Sequence, residues 1–63
     1  MKYWAILDQD NRVIGEWLGP THWVKIFEKK SEAKQTAISL NIPKFQIVDA
    51  VTAMQQKPSQ LSQ

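Results

Sequence analysis

The residues of this 63-residue chain that could carry acid–base chemistry are few and widely spaced. Histidine occurs once, at His22, and cysteine is absent. The carboxylates are Asp8, Asp10, Glu16, Glu28, Glu32 and Asp49. Acid–base catalysis needs two or more titratable groups held close together in a pocket, and no such set is evident. The sequence therefore argues against an enzyme.

Cofactor and metal sites also lack their usual residues. Asp8 and Asp10 could ligate a cation, but the wider pattern of a calcium loop is absent. Two such carboxylates in a hairpin loop more often shape a turn. The only glycines are Gly15 and Gly19, which leaves no phosphate-cradling loop and no dinucleotide fingerprint. We expect no cofactor and no bound metal, and we expect His22 to be a surface loop residue.

Lysines and tryptophans are the residue types that point to a partner. Residues 25–34 hold four lysines, and three tryptophans in so short a chain are unusual. The lysines could form a positive patch suited to phosphate, or a solvated face whose charge is offset by Glu28 and Glu32. The tryptophans could pack the core and a self-association surface, or anchor a foreign protein. The candidate partner-binding residues are Trp17, Trp23, Lys25, Lys29, Lys30 and Lys34.

Apolar periodicity predicts the elements that position these residues. Alternation predicts strands over residues 2–7, 12–18, 23–27 and 44–51. A helix is predicted over residues 32–40, with Ser31 as its N-cap and Ala33, Ala37 and Leu40 on its buried stripe. Asn41 is expected to end that helix in a left-handed conformation. The predicted fold is α+β, a small antiparallel sheet of three to four strands (β-β-β-α-β) with one helix on one face.

Both faces of the first strand carry apolar side chains, so we place it in the middle of the sheet or at a dimer contact. Across the turn at residues 8–11, Leu7 pairs with either Arg12 or Val13. Pairing with Val13 gathers more apolar side chains on one face of the sheet. Residues 1–51 form the predicted domain. Residues 52–63 are rich in Gln and Ser, and are predicted to be a tail that is disordered or partly helical.

Size and charge bound the function classes. A domain this small without disulfides often gains stability by associating with itself, so a homodimer is expected. The net charge of +2 is too small to imply a polyanionic partner by itself. The N-terminal residues form neither a signal peptide nor a membrane span, so a cytoplasmic protein without membrane association is expected.

Residues 23–51, WVKIFEKKSEAKQTAISLNIPKFQIVDAV, resemble a pattern in small β-β-β-α-β proteins of phages and mobile elements. An aromatic strand ends in Phe27, a helix begins with Ser31-Glu32-Ala33, and a strand containing Ile47-Val48 follows. A second similarity is to the DNA-binding domains of integrases, which combine a three-stranded sheet with a helix. This chain departs from them in its single arginine, Arg12, and in its fourth strand.

The first resemblance implies a non-enzymatic protein-binding module. Its sharpest version is a phage or mobile-element inhibitor that occludes a host defence complex, an anti-CRISPR-like or similar anti-defence protein in the host cytoplasm. Its partner would be a host protein or nucleoprotein complex. The alternative is a small DNA-binding or regulatory protein that uses the lysines of residues 25–34.

Overall fold

The computed structural model describes residues 2–59 of the chain. Its elements, in chain order, are β1 (Trp4–Leu7), β2 (Gly15–Leu18), β3 (Thr21–Val24), α1 (Lys30–Ser39), β4 (Gln46–Asp49) and α2 (Ala50–Met54). The predicted α+β class and the β-β-β-α-β order are confirmed, and α2 follows as an additional short helix. Neither helix within residues 2–59 has the length and apolar content needed to cross a membrane.

β1 is the central strand, as its two apolar faces predict. On one side it pairs with β4 in antiparallel register, Trp4 opposite Asp49. On the other side Trp4 and Phe27 exchange two backbone hydrogen bonds of 2.8 Å each, and Leu7 bridges Val13. The predicted single sheet is therefore realised as two two-stranded sheets, β1–β4 and β2–β3, which these isolated bridges join.

The strand register at the first turn is the one predicted to place more apolar side chains on one face. Leu7 pairs with Val13 rather than with Arg12. Residues 8–12 form the loop, in which Asn11 has a φ of 59°, a left-handed value that asparagine tolerates. Asp8 shapes this loop, because its Oδ1 accepts hydrogen bonds from the backbone N–H groups of Asp10 and Arg12, at 2.9 and 3.0 Å.

β2 and β3 form a separate hairpin, which we call the arm. Leu18 pairs with Thr21, so only Gly19 and Pro20 connect the strands. Gly19 has a φ of 61°, which suits the first central position of a type II′ turn. The predicted start of the third strand at Trp23 is wrong, since β3 is Thr21–Val24. A positive φ at Gly19 lets the chain reverse within two residues, so β3 begins at Thr21.

Helix α1 covers one face of the β1–β4 sheet with its two small residues, Ala33 and Ala37, both fully buried. The predicted third member of its stripe, Leu40, is 38% exposed and is not part of the buried core. The helix ends at Ser39 and Asn41 turns the chain with a φ of 57°, as predicted. Ile42 therefore takes the buried place. Buried residues of this core are Ile6, Ile14, Ala33, Ala37 and Ile42.

The start of α1 differs from the prediction. Its N-cap is Lys29, with no side-chain capping hydrogen bond, and Ser31 lies within the first turn. Phe27 is the last residue before α1 that hydrogen-bonds to β1, and the chain turns from Glu28 into a helix that begins at Lys30. Glu32 is in the first turn, where the helix dipole favours an acid.

The opposite face of the sheet is covered by α2 and the residues after it. Ala53 is fully buried with Ala5, Leu7 and Val13 in a second core. Residues 52–54, at the start of the predicted tail, belong to α2, and residues 55–59 continue along the sheet. Pro58 bridges Val13 in parallel and Ser59 is fully buried. Residues 60–63 of the predicted tail lie outside the described residues.

Candidate interaction surface

The register of the arm separates the two tryptophans that the sequence analysis grouped together. Trp17 lies opposite His22, and Trp23 lies opposite Glu16. Residues directly opposite each other share a face, while neighbours along a strand alternate. Trp17 and Trp23 therefore point to opposite faces of the arm and do not form one patch.

Trp17 faces the C-terminal segment and is 36% exposed. Its Nε1–H donates a 2.9 Å hydrogen bond to the carbonyl oxygen of Ser59. Its ring centroid lies 4.9 Å from that of His22, with the planes tilted by 58°. The indole of Trp17 therefore helps to hold the arm against residues 57–59.

Replacing Trp17 by phenylalanine tests how much the hydrogen bond from Trp17 to Ser59 contributes to stability. The ring keeps its contact with His22 but loses the hydrogen bond to Ser59, so the free energy of unfolding should fall by about 1 kcal/mol. Urea unfolding followed by circular dichroism measures the change. A variant as stable as the wild type would show that the bond contributes nothing.

His22 is part of β3 and not of a surface loop, which corrects the sequence prediction. Its ring lies over Gly15, whose Cβ, if present, would be 2.8 Å from His22 Cε1. The Nε2 atom is buried without a hydrogen-bond partner in the described part of the chain.

The other face of the arm is the larger exposed apolar surface, and we call it the Trp23 face. Trp23 is 59% exposed and Leu18 is 65% exposed. The two are diagonal neighbours, because Leu18 is two residues beyond Glu16, the partner of Trp23. Glu16 and Thr21 complete the face. Helix α1 packs mainly against β1 and β4, and the outer part of the arm stays open.

The lysines divide between this face and the start of α1. Lys25 is half-buried and shares the face of Trp23 by strand alternation. Lys29 is the N-cap of α1 and Lys30 its first residue. The Lys30 Nζ atom lies 5.2 Å from the ring centroid of Trp4, and Lys34 is one turn further along the helix.

Lys2 joins this group in space. Its Nζ atom lies 5.5 Å from the centroid of the same Trp4 ring. An ammonium group within about 6 Å of an indole face is attracted by the ring quadrupole. The ammonium groups of Lys2 and Lys30, which are far apart in the sequence, therefore both lie close to the half-buried ring of Trp4.

Within residues 2–59, no group of three or more His, Asp or Glu side chains could hold a metal ion. Both oxygens of the Asp8 carboxylate accept hydrogen bonds from within the protein. Besides the turn bonds at Oδ1, its Oδ2 accepts a 3.1 Å hydrogen bond from the buried Ser59 hydroxyl. The interpretation of Asp8 as a turn former agrees with this geometry.

Two surface residues were missed by the sequence analysis, Leu18 and Lys2. Leu18 could have been found by treating Gly19-Pro20 as a two-residue hairpin turn, because that register places it beside Trp23. Lys2 carries no local signal, since its proximity to Lys30 depends on the bridge between Trp4 and Phe27.

No family model matches this sequence, and comparison with curated proteins and with solved structures finds no similar protein.

Proposed function

We propose that this chain is a non-enzymatic protein-binding module whose contact surface is the Trp23 face of the arm. The observation that carries the proposal is the exposure of Trp23 and Leu18, 59% and 65%, side by side on one face of a paired hairpin. Large apolar side chains exposed together on a small domain are typical of interaction sites.

The chemistry of the face suits a protein partner. Tryptophan is among the residues that most often dominate binding energy at protein interfaces. Its position on a β-strand restricts the ring before binding, so less conformational entropy is lost on association. Glu16 and Lys25 lie beside the apolar pair on the same face and would form a polar rim that favours one orientation of the partner.

The sharpest version of the proposal is an inhibitor from a phage or mobile element that occludes a host defence complex in the host cytoplasm. Two considerations support it. The pattern of residues 23–51 resembles small proteins of that origin, and occlusion needs a binding surface but no catalytic groups. The lysines at the start of α1, Lys29, Lys30 and Lys34, would then lie at the rim of the contact, facing acidic or phosphate-bearing parts of the complex.

A second candidate function is DNA binding, and it is favoured by a specific observation. Lys2 and Lys30 both lie on the ring of Trp4, and Lys34 follows on the same helix. Cations beside an aromatic ring occur on surfaces that bind nucleic acid. The single arginine argues against sequence-specific readout, so this function would be contact with phosphates.

The test of the protein-binding proposal is capture from a bacterial host lysate with immobilised protein. The wild type should retain a stoichiometric partner. The Trp23→Ala variant should bind that partner about 30-fold more weakly, because loss of a hot-spot residue removes about 2 kcal/mol or more. Soluble wild type and variant, added as competitors, give the affinity ratio.

A charge variant separates the two functions. Lys34→Ala should change the affinity for a protein partner by less than about threefold, since rim charges contribute little. DNA binding would behave differently: affinity for generic duplex would fall steeply with salt and would fall again in Lys34→Ala. Duplex binding of that kind, without a captured protein, would refute the protein-binding proposal in favour of DNA.

A further inference from the structure

The outer edge of β4 is an unpaired strand edge in the described part of the chain. β4 pairs with β1 on one side, and the two form a two-stranded sheet. Natural proteins blunt such edges with lysine or proline within the strand, or with bulges. The strand itself, Gln46-Ile47-Val48-Asp49, contains no lysine or proline, and its one charged side chain is Asp49 at its end.

The hydrogen bonds of β1 determine which β4 groups point outward. The N–H and C=O groups of Trp4 are hydrogen-bonded to Phe27, and the carbonyl of Ile6 accepts a hydrogen bond from Ile14 N–H. Their partners in β4, Asp49 and Ile47, therefore belong to the pairs without mutual hydrogen bonds, because bonded and non-bonded pairs alternate along an antiparallel ladder. The backbone groups of Ile47 and the N–H of Asp49 face away from the sheet.

Charge decides the direction in which a second strand would fit. Between residues 42 and 50 the charged side chains are one base, Lys44, and one acid, Asp49. A parallel pairing of two β4 strands would set lysine beside lysine and aspartate beside aspartate. An antiparallel pairing brings the basic end of each strand to the acidic end of the other.

We infer that the outer edge of β4 pairs with β4 of a second copy of this chain, antiparallel and centred on Ile47. In that register the outward N–H of each Ile47 donates a hydrogen bond to the outward C=O of the other Ile47. The outward N–H of each Asp49 is then opposite Phe45 of the second copy. Centring on Val48 instead would set Gln46 against Ala50, where α2 has already begun, so the Ile47 register uses more of the strand.

The dimer joins two sheets into one with strand order β1-β4-β4-β1. This inference is independent of the Trp23 face, because the arm lies on the other side of β1 from β4. A symmetric dimer would present two arms, and could therefore engage two identical sites of an assembly at once with increased avidity.

Amide hydrogen exchange of the purified protein, measured by NMR at rising concentration, tests the register. The Ile47 and Asp49 amides should exchange rapidly in dilute protein and become protected at least tenfold at hundreds of micromolar. The Val48 amide, which faces β1, should be protected at every concentration. An Ile47 amide without added protection at those concentrations would overturn the inference.

A matched pair of variants tests the edge by sedimentation. In the inferred dimer the two Gln46 side chains are diagonal neighbours, about 7–8 Å apart. Gln46→Lys places like charges there and adds the edge lysine that opposes pairing, so it should raise the dimer dissociation constant about fivefold or more. Gln35→Lys, the same change at an exposed site on α1, should leave it unchanged. Equal dissociation constants for the two variants, or a monomeric wild type at hundreds of micromolar, would refute the inference.

Discussion

Replacing Gly15 by alanine should lower the free energy of unfolding by about 3 kcal/mol, the upper end of what overpacking costs. An added Cβ would collide with the carbonyl oxygen of Trp23 and lie 2.8 Å from His22 Cε1. The imidazole can rotate away, but the carbonyl belongs to the backbone of β3. The strands of the arm must therefore separate or shift.

Chemical denaturation of Gly15→Ala measures this loss, with Gly19→Ala as the control. Gly19 has open space where its Cβ would be, so that variant bears only the conformational cost of a non-glycine residue at positive φ in a type II′ turn, about 1–2 kcal/mol. Equal losses in the two variants would show that the contact between Gly15 and β3 is not as close as described. Because Trp23 is on the affected strand, Gly15→Ala should also weaken partner capture.

Replacing Asp8 by alanine is expected to have the second large effect, a loss of about 3 kcal/mol. One carboxylate accepts three hydrogen bonds, from Asp10 N–H, Arg12 N–H and the Ser59 hydroxyl. Hydrogen bonds to charged acceptors contribute about 1.5–3 kcal/mol each, though not additively within one group. The Ser59 hydroxyl is buried, so the variant leaves it without this acceptor.

Hydrogen exchange identifies where the Asp8→Ala variant loosens. The Ser59 N–H is bonded to the Val13 carbonyl at 2.8 Å, and it should exchange faster once the Asp8 contact is gone. Asp10→Ala is the control, because Asp10 is exposed in the same turn and should change stability by less than about 0.5 kcal/mol. Unchanged exchange at Ser59 would show that Asp8 does not hold the C-terminal residues.

Local pattern was sufficient to predict the architecture of the sheet and helix. Apolar groups on both faces of β1 predict a central strand, and Asn41 predicts a left-handed turn after α1. These predictions succeed because they depend on neighbours within a few residues. The Leu7–Val13 register was also predictable, since the alternative would have turned the apolar side chains of β2 to the other face.

Long-range contacts account for what the sequence did not predict. Residues 55–59 are polar in composition, but three partners distant in sequence hold Ser59 and Pro58: Asp8, Val13 and Trp17. The separation of Trp17 from Trp23 depends on the two-residue turn at Gly19-Pro20. A turn longer by one residue would have reversed which face each β3 side chain occupies.

The most direct test of the Trp23 face compares two double variants in capture from a host lysate. Leu18→Ser/Trp23→Ser removes the exposed pair on the arm, and Val51→Ser/Met54→Ser removes a pair of similar exposure on α2, 68% and 61%. Circular dichroism melts verify that both variants fold. We predict that the arm variant loses the stoichiometric partner while the α2 variant retains it at the wild-type level. Retention by the arm variant, or equal loss in both, would contradict the assignment of the Trp23 face as the binding surface.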